Sequence, residues 1–184
     1  PGGFTSSFNG SAAGWSKVYG TWAVGPAYYQ TNGIGGYWSS AKHTTNYGNF
    51  TYEVRMKRTS SDTSRANNLV IRGKPNTLDA TKMWKSSYIF QYANNGYFSV
   101  WRISATGTAA ALKTWTLHSA IVKNGWNKLK VVANGSSLKF YINNTLVWSG
   151  ASASFPTGQV GIMMHRTTTS TGNALYVDWA KLTV

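Results

Sequence analysis

Residues 125–148 read GWNKLKVVANGSSLKFYINNTLVW, two runs of alternating apolar and polar side chains on either side of a Gly-Ser turn. A period of two is the mark of a strand with one face in a core and the other outside it. Leu129, Val131 and Ala133 fall on one face of the first run, Lys128, Lys130 and Val132 on the other. Asn134-Gly135 supplies residues that tolerate the positive φ of a tight hairpin turn. On the return run Leu138, Phe140 and Ile142 face inward and Lys139, Tyr141 and Asn143 outward, after which Asn143-Asn144-Thr145 reverses the chain again. This is a β-hairpin, and it predicts an all-β chain.

The remaining sequence agrees with it. Strand patterns fall at 20–24, 28–30, 50–57, 68–72, 88–92, 97–103, 127–133, 138–141, 158–164 and 175–182, with Gly, Asn, Ser and Thr clusters between them and no capped segment of helical period. Many short strands at this spacing predict an antiparallel β-sandwich or jelly roll. With 184 residues, 42% of them hydrophobic, the chain is long enough for one well-packed domain spanning 1–184, and no linker or internal repeat divides it. An N-terminal strand laid against the last strand brings Phe8 and Trp179 toward one sheet edge.

Several motifs in order along the chain carry a resemblance: FNGSAAGWSKVYGTWAV from Phe8, YGNFTYEVRMKR from Tyr47, NLVIRGK from Asn68, YIFQYANNGYFSVWRI from Tyr88, TGQVGIMMHR from Thr157 and YVDWAKLTV at the end. With the hairpin, they resemble the bacterial laminin-G-like jelly rolls of the concanavalin A-like superfamily, which include carbohydrate-binding modules and 3-keto-disaccharide hydrolase-type domains. The resemblance implies a two-sheet sandwich whose concave face binds sugar polymers. It also implies a structural calcium joining the N-terminal segment to the last strand, with Asn9 and Asp178 in the matching regions. Asn9-Gly10 stands where the resemblance leads one to expect an aspartate, so such a site is low in charge and leans on backbone carbonyls. Asp178 reads equally well as a strand-end residue that caps a loop.

Eighteen Lys and Arg against four Asp and Glu give a formal charge of +14. Such a surplus favours a polyanion, whether an acidic polysaccharide, a charged cell surface or nucleic acid. The plainer reading is that lysines serve solubility and guard sheet edges. Nine of the cations, from Arg55 to Arg102, lie in one central stretch. No apolar run is long enough to span a bilayer and no charged-then-apolar leader precedes the first strand, so the chain reads as a soluble, mature or excised segment; the sugar-binding resemblance implies a secreted protein, either a monomer or a module of a larger one. The absence of cysteine excludes disulfides, thiolate catalysis and cysteine metal sites.

Alternation assigns faces in the middle strands. With Leu69, Ile71, Tyr88, Phe90, Tyr92, Phe98 and Val100 in the core, the opposite face receives Asn68, Val70, Arg72, Ile89, Gln91, Tyr97, Ser99 and Trp101. Met163 and His165 join them from 158–165. Asn68, Arg72, Gln91, Tyr97, Trp101 and His165 together are sugar-recognition chemistry: planar rings stack on pyranose C–H faces while Arg, Gln and Asn bond to hydroxyls. Trp84, in a loop between Lys82 and Lys85, has no evident core role and is expected to join the site. The other tryptophans (Trp15, Trp22, Trp38, Trp115, Trp126, Trp148, Trp179) read as core or rim packing. Arg72 has an alternative reading as the ion-pair partner of Glu53, and His165 as a hydrogen-bonded surface histidine.

Glycosidases use two carboxylates at a defined separation. The four acids here, Glu53, Asp62, Asp79 and Asp178, are spread over different segments, and Ile89 stands where the hydrolase resemblance implies an acid beside Gln91. A polysaccharide lyase acting on uronates is the catalytic alternative, because β-elimination needs cations and a Tyr or His rather than paired acids; Arg55, Arg72, Gln91 and His165 are its candidates. Nucleic-acid binding shares the charge but lacks a single-strand platform motif. The expectation is a non-catalytic carbohydrate-binding module.

Overall fold

The computed structural model describes residues 1–184. The strands in chain order are β1 (Phe4–Ser6), β2 (Trp15–Tyr19), β3 (Ala23–Val24), β4 (Tyr29–Thr31), β5 (Trp38–Tyr47), β6 (Phe50–Thr59), β7 (Ala66–Gly73), β8 (Ser87–Ala93), β9 (Tyr97–Ile103), β10 (Ala109–Leu117), β11 (Trp126–Asn134), β12 (Ser137–Ile142), β13 (Thr145–Ala151), β14 (Gly158–His165) and β15 (Ala174–Thr183). There is no helix. An eight-stranded antiparallel sheet runs β13-β12-β11-β6-β15-β4-β3, with β1 also on β15; a seven-stranded antiparallel sheet runs β10-β9-β8-β7-β14-β5-β2. Sequence-distant neighbours such as β6 with β15 and β7 with β14 are the crossovers of a jelly roll.

The hairpin at 125–148 folds as its alternation requires. Leu129, Val131, Ala133, Leu138, Phe140 and Ile142 are buried, and β11 pairs with β12 from Leu129↔Ile142 to Asn134↔Ser137. Its second reversal is a two-residue turn in which Asn143 and Asn144 take φ of 50° and 69°, the left-handed region that asparagine tolerates. Asn143 also fixes the hairpin to the preceding loop, accepting from Lys128 N–H at 2.8 Å and donating to Ala120 C=O at 2.8 Å. In β6, Phe50, Tyr52, Val54 and Met56 alternate inward against this hairpin and β15.

A core of 30 buried residues lies between the sheets. A second cluster lies outside it: Val70, Ile89, Ile103 and Met163 on the outer face of the seven-stranded sheet, covered by Met83 and Trp84 from the β7–β8 loop. Consequently β7 and β8 are buried on both faces, unlike β6 or β11. The structure adds β1, β2, β5, β10 and β13 to the expected strands and shortens the segment expected at 20–24 to Ala23–Val24. β10 departs from simple alternation because its pairing with β9 shifts register twice, between Ala111 and Lys113 and again before Thr116. Phe8 is a core residue stacked on Tyr29 at 5.3 Å, and Trp179 pairs with Arg55 on β6.

Candidate functional site

The outer face of the seven-stranded sheet divides into a sealed half and an open half, and the β7–β8 loop draws the boundary. Within that loop Asp79 Oδ1 accepts from Thr81 N–H at 2.8 Å, Thr81 Oγ1 at 2.8 Å and Met83 N–H at 3.0 Å, an Asx-type turn that holds residues 79–83 in one shape. The Trp38 N–H donates to Thr81 C=O at 2.9 Å and ties the loop to β5.

Trp84 is the loop's anchor and is completely buried, so the expectation that it meets ligand is corrected. Its indole N–H donates to Ser40 Oγ at 2.9 Å, and its rings lie over Gly73 and Gly161. A Cβ at Gly161 would stand 2.5 Å from the indole and 2.6 Å from Ala41 O, and one at Gly73 would stand 2.6 Å from the indole. Glycine on two strands that are distant in sequence makes the socket, and burying the large aromatic there removes the apolar faces of Val70, Ile89 and Met163 from water.

Beyond Met83 the face stays open as a cleft of about 280 Å³ between Trp38 and Trp101, with Ile89 and Gln91 among its lining residues and Asp79 and Met83 on the loop side. A second hollow, also about 280 Å³, shares Trp38, Thr81 and Gln91 with the first and continues to Arg65, Trp115 and His165. The two together have the size and lining of a small-ligand or oligomer site. Trp38 and Trp115, expected in core or rim packing, are therefore walls of the groove; Trp115 is 39% exposed, carried outward by the irregular register of β10.

Gln91 sits at the junction of the two hollows. Its Nε2 donates to Ser99 Oγ at 2.8 Å, the same oxygen that accepts the Trp101 indole N–H at 2.8 Å, so amide and indole are held by one hydroxyl. Asn68 Nδ2, directly across on the neighbouring strand β7, reaches Gln91 Oε1 at 3.5 Å. Asn68 is 0% exposed, with Oδ1 lacking a hydrogen-bond partner; it supports Gln91 instead of reading ligand hydroxyls as expected. His165 lies edge-on to Trp38, with ring centres 5.1 Å apart. Burial first, then the positive charges of Arg65 and Arg58, hold its pKa below the ordinary value against the opposing pull of Asp62, so the imidazole is neutral at pH 7. Tyr97 shares the Trp101 face by alternation and is 38% exposed, but it sits at the far end of β9 and lines neither hollow.

Arg72 is displaced entirely. Between Val70 and Gly73 the pairing with β14 slips by one residue, and Arg72 takes a left-handed φ of 48°. That bulge ends the alternation that would have placed it beside Gln91. The guanidinium turns to the end of the sandwich, where it donates to Gly48 C=O at 3.0 and 2.8 Å, Gly135 C=O at 2.8 Å and Phe155 C=O at 3.2 Å. Buried to 1% exposure, it clamps three loops and makes no pair with Glu53, which lies 3.9 Å from Lys128 on the other sheet. Arg55 is also on that sheet, bonded to Asp178. Of the set drawn for a lyase, only Gln91 and His165 come together.

The calcium residues fare no better. The Asp178 carboxylate is engaged by Arg55, Asn9 is exposed in the bend after β1, and no three His, Asp or Glu side chains gather anywhere as a metal site. Arg55 already neutralises the one carboxylate expected to hold a calcium ion, so the side chains named for that site do not by themselves form a donor set for it.

Solved structures share the fold. A carbohydrate-binding module, CBM66 from Bacillus subtilis, is similar at a TM-score of 0.70 and 21% identity, covering 90% of this chain and 92% of that one. A β-glucanase of Bacillus licheniformis is similar at a TM-score of 0.68 and 13% identity over 100% and 99% of the two chains. The apo Crh5 transglycosylase is similar at 0.69 and 11% identity, over 100% and 84%. The fold is thus the concanavalin A-like jelly roll that the sequence resembled. No curated protein matches the chain by sequence. The family model for the 3-keto-α-glucoside-1,2-lyase-like domain matches residues 3–173, most of the sandwich including every wall of the groove, and the chain belongs to that family.

Proposed function

We propose that the protein is a non-catalytic carbohydrate-binding module that holds a polysaccharide in the groove between Trp38 and Trp101. One observation carries the reading: two tryptophans face a shared hollow on either side of Gln91, and one hydroxyl, Ser99, holds both the Gln91 amide and the Trp101 indole. Rings held in place lose little freedom when a sugar stacks on them, and the amide keeps hydrogen-bonding capacity for a hydroxyl. Asp79 Oδ2, which takes no part in the loop turn, and His165 add polar contacts at either end. The likeness to a carbohydrate-binding module supports the same reading. A polymer of this kind is met outside the cell, so the protein acts there as a secreted module.

Affinity electrophoresis against neutral and acidic polysaccharides tests it. Trp101→Ala is expected to abolish most of the retardation on neutral polymers, and the salt-resistant part of it on acidic ones, while keeping the wild-type melting temperature within a few degrees. A folded Trp101→Ala that is retarded like the wild type on every polymer sinks the groove reading.

A catalytic reading has one point in its favour: Asp79 and His165 face adjoining hollows and are the only acid and imidazole there, and the family model is described by a lyase reaction. Growth of ultraviolet absorbance from unsaturated sugar, abolished in Asp79→Asn, would establish elimination; a flat trace with undiminished binding excludes that lyase reaction.

A further inference from the structure

We propose that the outer face of the eight-stranded sheet is a second binding surface, one that takes a linear acidic polysaccharide bearing uronate or sulfate groups. It is independent of the groove and lies on the opposite side of the sandwich.

Register lines up the outward residues of β15, β6, β11 and β12 in rows. One row is Lys181, Glu53, Lys130 and Tyr141; the next is Trp179, Arg55 and Lys128; a third sets Lys57 between Tyr176 and Trp126. With Lys139 at the β12 end, six cations share this face with two acids, Glu53 and Asp178. Strand spacing puts neighbouring rows' backbones about 7 Å apart and neighbours within a row about 5 Å apart, a dense ladder of positive charge.

Edge protection does not account for it. The edges of this sheet are β13, β3 and the short β1, whereas Arg55, Lys57, Lys128, Lys130 and Lys181 stand on the inner strands β6, β11 and β15. Arg55 and Lys128, directly opposite one another, take up the two acids, Asp178 and Glu53, which leaves Lys57, Lys130, Lys139 and Lys181 on this face without a carboxylate partner. A face that retains like charges across its central strands fits a ligand that supplies the missing anions.

The aromatic residues favour a sugar chain over nucleic acid. Lys130 covers the Tyr141 ring at 4.2 Å and Arg55 covers Trp126 at 4.6 Å, while Tyr28 packs against Trp126 at 5.5 Å and Tyr176 at 5.7 Å. Single-strand binding needs a succession of free ring faces on which bases stack, and of the four rings in these rows only Trp179 has no cation or second ring against it. What remains is spaced charge flanked by half-buried rings, suited to carboxylates or sulfates on a pyranose backbone.

The test compares two charge-matched variants on polygalacturonate and chondroitin sulfate at low salt, with a neutral glucan as control. The first is Lys57→Gln/Lys130→Gln/Lys181→Gln; the second is Lys17→Gln/Lys74→Gln/Lys123→Gln, three exposed lysines off this face. Thermal melts confirm that both fold. The first is expected to lose about tenfold or more in affinity for the acidic polymers and to flatten the salt dependence, the second less than about threefold. Trp101→Ala is expected to leave this salt-sensitive component in place, which separates failure of this surface from failure of the groove. Equal losses in the two triple variants, no loss in the first, or tighter retention of DNA than of either acidic polysaccharide would overturn the assignment.

Discussion

Trp84 and Trp101 stand on the same outer face of the same sheet, each with its indole N–H on a serine hydroxyl, Ser40 for one and Ser99 for the other. Trp84 lies over two glycines, where the absence of a Cβ lets its rings sink until no surface is left. Trp101 lies beside Ile89 and cannot sink, so its ring remains in the cleft wall. The lesson is that a satisfied N–H does not distinguish an anchor from a ligand platform. The volume available beneath the ring does.

Trp84→Ala is the severest way to break this contrast. It should cost about 3–5 kcal/mol and lower the melting temperature by roughly 6–20 °C, since it empties a socket the loop cannot refill. A variant that melts like the wild type would show that the loop is not held by this residue. Arg72→Met comes next, because it leaves the carbonyls of Gly48, Gly135 and Phe155 without their donor; a loss of about 2–3 kcal/mol is expected in urea unfolding, with binding unchanged. Weakened binding at wild-type stability would return Arg72 to the site. Gly161→Ala sharpens the contrast from below by pushing on the Trp84 indole and on Ala41 O, at a cost of about 1–3 kcal/mol. Trp101→Ala should cost under about 1 kcal/mol of stability yet weaken polysaccharide binding by about tenfold or more, equivalent to about 1.4 kcal/mol.

The smallest effect is on pH. His43 and His165 both have pKa values held down in the folded state, His43 by burial alone, so the unfolded chain takes up protons first as pH falls. Stability is then full above the ordinary histidine value of about 6.5 and declines as pH drops below it. Urea midpoints at pH 7.5 and 5.5 check the sign; a higher midpoint at the lower pH contradicts it.

Much of this was legible. Wherever one face of a strand meets the core and the other meets solvent, as in β11 and β12, alternation alone placed the apolar side chains. The inward sets of β7, β8 and β9 were legible by alternation too, although β7 and β8 are covered on both faces. So was the location of Gln91 and Trp101 on a shared outer face, since Gln91 pairs with Ser99 and Ile89 with Trp101. A further signal lies in Val70, Ile89 and Met163, all at outward positions of neighbouring strands, which demand an apolar cover. Trp84 in the adjoining loop was the nearest candidate.

Other features had no local signature. β5 carries Ser39, Ser40 and Ala41 in succession, all buried, so its pattern looks neither half-buried nor exposed. The groove role of Trp115 depends on register shifts in β10, and that of Trp38 on its place beside the loop and His165. The fate of Arg72 depended on one slipped residue against β14, a strand more than eighty residues away.

The sequence by itself therefore determined the class of fold, the core faces of the regular strands and the excess of positive charge, because these follow from side-chain period and composition. Only the tertiary structure decided which tryptophan is an anchor and which a wall, where the buried arginine goes, and which lysines share a face. Those outcomes depend on what another strand places opposite: a missing Cβ, a shifted register, a carbonyl at the sandwich end. Contacts of that kind are made between residues that the chain keeps far apart until it folds.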